Sequence, residues 1–155
     1  MPSTYLALLR GINVGGHGKL PMAELTRLCA AAGCENVRTY IQSGNVIFTA
    51  TPTIAAALPS LLPVPTLLRT QAQLADLIAS NPYPPEHSHI TFLFKPPSKL
   101  PIAVAPEAYT IFGLHFFVYL PNGVGRSKLA AAVPREGTTR NWRTVVKLHE
   151  MMTAK

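Results

Sequence analysis

The 155 residues include fourteen Lys and Arg against seven Asp and Glu, a formal net charge of +7, and 48% are hydrophobic. That length holds one well-packed domain or two small subdomains sharing a core, and that apolar share excludes a disordered chain. The stretch from Thr39 to Leu68 carries no charge, yet Gly44, Pro52, Pro59, Pro63 and Pro65 interrupt it, so no window supplies the ~20 unbroken apolar residues of a spanning helix.

The opening "MPSTYLALLRG" has no basic residue ahead of its short apolar run, which is too short for a secretory core. The expectation is a cytoplasmic protein that does not enter a membrane. Residues 4–10, "TYLALLR", read as a strand buried on both faces. The glycine-rich "GINVGGHGK" follows. Pro21 then stands at a plausible first helical turn, with Met22, Leu25, Leu28, Cys29 and Ala32 at helical spacing and Gly33 as the stop. "VRTYIQS" and "NVIFTA" read as strands joined by a hairpin at Ser43-Gly44-Asn45. "IAAALPSLL" (54–62) reads as a proline-interrupted helix and "VPTLLRT" (64–70) as a strand that Pro65 suits to an edge.

Strand, helix, strand, strand, helix, strand is the ferredoxin-like order. The expected fold is therefore α+β, with residues 1–70 a ferredoxin-like subdomain (βαββαβ) whose four-stranded sheet is antiparallel in type but mixed. Residues 71–155 form the second α+β subdomain, packed on the first. There, 71–80 reads as a helix, "HITFLFK" (89–95) as a strand, and "AYTIFG" with "HFFVYLP" as a hairpin turned near Gly113. A helix runs from about Ser127 to Ala132. Thr139 reads as the cap of a terminal helix whose stripe is Trp142, Val145, Val146, His149 and Met152, placing Arg140 and Asn141 in its first turn.

This topology makes strands one and two parallel, so the segments leaving their carboxyl ends meet at one edge, where ligands of open α/β sheets gather. The helix behind the glycine loop aims its free N–H groups there too. Arg10, Asn13, Gly15, Gly16, Lys19, Gln42, Ser43, Gly44 and Asn45 are the candidate anion-binding residues at this edge. The loop-to-helix junctions "PNGVGRSKL" and "TTRNW" add Ser127, Lys128, Arg140 and Asn141. The loop is neither a P-loop, since Asn13 stands where its first glycine would be, nor G-x-G-x-x-G, since Pro21 stands at the last. A turn that merely needs backbone freedom explains the same glycines.

Catalytic signatures are missing. The seven carboxylates (Glu24, Glu35, Asp76, Glu86, Glu107, Glu136, Glu150) form no recognisable pair, and the histidines form no H-E-x-x-H. Cys29 and Cys34 have neither zinc-knuckle nor C-x-x-C spacing and read as two buried thiols. No metal or cofactor is expected, and no reaction is named. Residues 126–155 hold seven basic and two acidic side chains, +5 of the total +7, a field that attracts anionic partners. Nucleic acid is the alternative partner, with Tyr40, Phe48, Phe116, Phe117 and Tyr119 available on strands for stacking. An enzyme of unknown chemistry at the same edge, or a purely structural role for the motifs, are the other readings.

"YLALLRGINVGG", Lys19, Met22, "VRTYIQSGNVIF", "LPNGVGRSKL" and "TTRNWRTVVKL" resemble the bacterial family catalogued as domain of unknown function 1697 (DUF1697). The resemblance implies two related α+β subdomains, the first ferredoxin-like, and no established activity. It carries the family's polar motif positions onto Arg10, Asn13, Lys19, Gln42, Ser43, Asn45, Ser127, Lys128, Arg140 and Asn141. Between Lys95 and Ala108 this chain is shorter than the resemblance implies, which truncates the second subdomain.

Overall fold

The computed structural model describes residues 2–10, 21–40, 44–97, 99–123, 127–132 and 137–153. They divide into two compact units, Met1–Leu74 with Leu148–Lys155, and Ala75–Lys147. The division thus falls four residues past the expected boundary, and the end of the last helix groups with the first unit.

In the first unit β1 (Ser3–Leu9), α1 (Met22–Ala31), β2 (Glu35–Thr39), β3 (Asn45–Ala50), α2 (Pro52–Leu61) and β4 (Thr66–Thr70) follow in order, and α3 (Gln71–Ser80) begins at once. The sheet order is β2-β3-β1-β4, with every neighbouring pair antiparallel. This is the ferredoxin-like sheet, and β1 and β2 run parallel with β3 between them. Alternation along the strands sorts the side chains into two faces. Ala7, Leu9, Val46, Phe48 and Ala50 join Leu25 and Cys29 of α1 and Ala55 and Leu58 of α2 in one core. Leu6, Leu8, Ile47 and Arg69 alternate to the opposite face and are buried as well. That double burial explains why β1 reads as a continuous apolar run.

Local chemistry sets the helix ends. α1 closes in a Schellman arrangement: the Cys34 N–H reaches the Cys29 carbonyl at 3.1 Å and the Gly33 N–H that of Ala30 at 3.0 Å, with Gly33 at φ 103°. α2 is capped by Thr51, whose hydroxyl accepts from the Ile54 N–H at 3.3 Å, and it continues through Pro59 to Leu61. Thr70 and Gln73 form a reciprocal capping box at the start of α3. Cys29 and Cys34 are buried and free. Burial pushes the Cys29 thiol up to about 12, so it holds no nucleophilic thiolate near neutral pH.

The second unit contains β5 (Ser88–Leu93), β6 (Ala108–Phe112), β7 (His115–Tyr119), α4 (Lys128–Ala132), β8 (Gly137–Asn141) and the start of α5 (Trp142–Thr153). Its sheet order, β6-β7-β5-β8, repeats that of the first unit position for position. The register repeats too: Leu6 opposes Arg69 where Ile90 opposes Arg140. What is lost is the first crossover helix. The described residues of 94–107 form neither helix nor strand, which matches the truncation expected there. Phe116, Val118, Leu120, Leu93 and Leu129 make the core on the α4 side.

One expectation fails in this unit. Residues 138–141 are strand, not the first turn of a helix. Thr139 does not cap. Its hydroxyl meets that of Thr91 across β5 and β8 at 2.7 Å. The β-branched Thr138 and Thr139 suit the ladder, and pairing with β5 overrides the local capping preference. Asn141 is the cap instead, its Oδ1 accepting from the Thr144 N–H at 2.8 Å. The buried stripe of α5 is Trp142, Val145, Leu148 and Met152, with Val146 and His149 only partly covered.

His89 on β5 offers a pH test. Its Nδ1 is buried with no hydrogen-bond partner. Burial lowers its pKa, a main-chain hydrogen bond at His87 opposes that shift, and the charge of His87 adds to it. The unfolded chain therefore binds this proton more readily, and stability falls as pH drops below the ordinary histidine value of about 6.5. A urea midpoint lower at pH 5 than at pH 7.5, with the gap narrowed in His89→Gln, is the expected result.

Candidate functional site

The edge predicted from topology is present. The Leu9 N–H donates to the Gly44 carbonyl at 2.8 Å, tying the end of β1 to the turn before β3. The Arg10 N–H donates to the Pro65 carbonyl at 2.9 Å, which brings the start of β4 to the same place. Arg10 is half-buried, whereas Gly44 and Asn45 are buried. Asn13, Gly15, Gly16, Lys19, Gln42 and Ser43 lie outside the described residues. Pro65 and Tyr40 are the participants that sequence reasoning missed. A proline read as a breaker gives no sign that its carbonyl will accept a bond, and Tyr40 was read only as a strand aromatic.

Asn45 is not turned toward solvent. Its side chain donates to the Tyr40 carbonyl at 3.1 Å, and the Tyr40 N–H returns a bond to the Asn45 carbonyl at 3.2 Å. It staples the β2–β3 connection from inside. Asn45→Ala should cost about 1–3 kcal/mol by leaving the Tyr40 carbonyl without this donor. Chemical denaturation measures that loss.

α1 has Pro21 at its N-cap with no side-chain cap, and its first helical bond is Leu25 N–H to the Pro21 carbonyl. Its preceding N–H groups therefore have no acceptor within the helix. The only acidic residue of that turn, Glu24, is held by Arg27, with Nε at 2.9 Å from Oε2. The hydrogen bond from Arg27 lowers the Glu24 pKa, and the exposed pair is neutral as a whole. The positive end of the α1 dipole is thus opposed by no uncompensated carboxylate.

The remaining candidates stand apart from one another in role. Ser127 caps α4, accepting from the Ala130 N–H at 3.0 Å. Ser127 and Lys128 also line a cavity of about 400 Å³ with Ile102, Val104, Glu107 and Leu129. It opens beside the 94–107 segment that replaces a crossover helix. Glu107 and Lys128 put opposite charges on its walls, which does not favour a multiply charged anion. Arg140 is buried on β8, donating to the Thr138 hydroxyl at 2.6 Å and the Thr139 carbonyl at 3.0 Å. Burial depresses its pKa to about 10, still leaving it cationic at neutral pH. Among the described residues no three His, Cys, Asp or Glu gather as a metal site.

Two α+β units with one sheet order, the first fully ferredoxin-like, define the class of protein. The chain belongs to the family described as "Protein of unknown function (DUF1697)", whose model matches residues 2–109. Ser127, Lys128, Arg140 and Asn141 lie beyond that match. Among solved structures the chain is similar to "conserved bacterial protein SP0830 from Streptococcus pneumoniae". The two share 21% identity with a TM-score of 0.75, over 99% of this chain and 100% of that one. That likeness is one of fold. No curated protein matches the chain. No helix among the described residues is long and apolar enough to cross a membrane.

Proposed function

We propose that this protein binds a phosphate-bearing small molecule at the strand-end edge of its first unit. The observation that carries the reading is the Leu9–Gly44 bond, which joins the segments leaving β1 and entering β3 at the edge where parallel β1 and β2 both end. The uncapped amino end of α1 supplies N–H donors and partial positive charge at that edge, and Arg10 supplies a cation. An overall charge of +7 favours approach of anions from a distance. Lys19, Asn13, Gln42 and Ser43 are the further residues that this reading assigns to the ligand.

A thermal-shift series with inorganic phosphate, nucleotides and sugar phosphates tests it. A ligand at 100 times its dissociation constant adds about 2.7 kcal/mol of stability. Arg10→Ala and Lys19→Ala should each reduce the response. No shift with any anion, millimolar phosphate included, ends the proposal.

Nucleic acid is the weaker partner. Phe48, Phe116 and Phe117, the aromatics that would stack on bases, are buried in the cores, and Tyr40 and Tyr119 are only partly exposed. Salt-dependent binding of mixed oligonucleotides at 50 mM salt, without any response to small phosphates, would reverse that order.

A further inference from the structure

The four outer strands of the two sheets are not equally protected against pairing with another chain. β2 carries Glu35 and Arg38, a break in register between them, and Asn36 at φ 52°. β4 follows Pro65 and contains Arg69, and β8 contains Gly137 and Arg140. Such charges, prolines and irregularities blunt an edge. β6, "AYTIF", follows Pro106 and Glu107 but carries no charge, proline or glycine within the strand, and it pairs with β7 in unbroken register from Ala108 to Phe112. Five of the six large exposed apolar side chains among the described residues lie between Phe94 and Phe112, in the segment that ends in β6.

The turn after β6 fixes which groups of the strand are spare. Phe112 and His115 close a two-residue loop in which Gly113 has φ 61°. Closing residues of such a hairpin bond each other, so Ala108, Thr110 and Phe112 direct their main-chain groups at β7. Tyr109 and Ile111 direct theirs away from it. Nothing among the described residues pairs with those outward groups. Tyr109 stacks on Phe116 at 4.8 Å, which holds the edge in place.

We propose that β6 is a self-association edge at which a second copy of this chain docks antiparallel about a two-fold axis through Thr110. The choice of a second copy comes from the register. With Thr110 opposite Thr110, Tyr109 opposes Ile111, an aromatic–β-branched pair, and Ala108 opposes Phe112. The Tyr109–Ile111 pairs are then the ones that exchange main-chain hydrogen bonds, using the outward groups. No like charges meet. A two-fold closes on itself, so the product is a dimer with a continuous eight-stranded sheet and no further growth at this edge.

The register makes a residue-specific prediction. Facing residues at a non-hydrogen-bonded position have Cα atoms about 4.5 Å apart, within disulfide reach. Thr110→Cys should therefore give a cross-linked dimer on mild oxidation with copper phenanthroline. In Ala108→Cys the two cysteines lie four residues apart along the strand, about 14 Å, and should not cross-link. The native Cys29 and Cys34 are buried and do not compete. Light scattering after gel filtration should show wild-type protein at twice the chain mass. Thr110→Lys sets two ammonium groups face to face at an exposed position and gives up the Thr110–Tyr83 hydroxyl contact. It should run at the chain mass with the circular dichroism spectrum of the wild type and a melting temperature that no longer depends on protein concentration. A wild-type monomer at every concentration, a dimer that Thr110→Lys leaves intact, an open-ended assembly, or equal cross-linking of both cysteine variants would each overturn the proposal.

Discussion

Gly137→Ala should be among the most damaging conservative substitutions in this protein, costing about 3 kcal/mol, the upper end for an overpacked site. Gly137 opposes Leu93 across the β5–β8 ladder. A Cβ there would collide with the Phe92 carbonyl oxygen and approach Thr91 Cγ2 to 2.8 Å and Leu93 Cδ2 to 3.1 Å. The first obstacle is backbone within a sheet, so no side-chain rotation relieves it. The consequence reaches further because β8 presents Arg140 and the Asn141 cap of α5. Trp142, the only tryptophan, begins that helix and reports the loss by fluorescence in a urea titration. Gly113→Ala is the matched control. It too changes a glycine to alanine, but its Cβ would meet nothing within 4 Å, leaving only the positive φ. That strain is worth about 1–2 kcal/mol. Equal losses at the two positions would refute the steric account.

Phe48→Ala should cost about 3–5 kcal/mol, the usual penalty for emptying a buried phenylalanine site. Phe48 is 0% exposed on β3, in the core built with α1 and α2, and stacks on Tyr5 with ring centroids 5.7 Å apart. The void lies against both helices of the first unit. At about 2–4 °C per kcal/mol, the melting temperature should fall by about 10 °C. Phe112→Ala provides the contrast. That ring is 51% exposed at the end of β6, so its loss should change monomer stability by at most about 0.5 kcal/mol. A small effect at Phe48 would mean that the core assignment is wrong.

These two sites also show how far a sequence carries. Phe48 is legible because "NVIFTA" is β-branched and aromatic and follows a turn signal. Gly137 is not, since nothing local says that a neighbouring strand's carbonyl will sit over its α-carbon. The same contrast runs through the candidate site. Arg10 and Gly44 were expected at one edge, and they arrive there because strand order obliges the ends of β1 and β2 to share it. Asn45 was read as a donor for a ligand, yet its amide is spent on the Tyr40 carbonyl. Asn141 takes the capping role expected of Thr139, which lies in β8 instead, because capping chemistry is local, whereas the β5–β8 ladder joins residues about fifty positions apart.

The element order of the first half, its ferredoxin-like sheet and the buried thiols follow from periodicity, turn residues and spacing, all of which act over a few neighbours. The truncated segment before Ala108 follows from the family resemblance. Only the tertiary structure decided that residues 137–141 pair with β5 as the outer strand of the second sheet, which arginines are buried, and which strand edge is left bare. Those outcomes depend on which distant strands pair, and pairing energy is shared between segments that carry no local mark of one another.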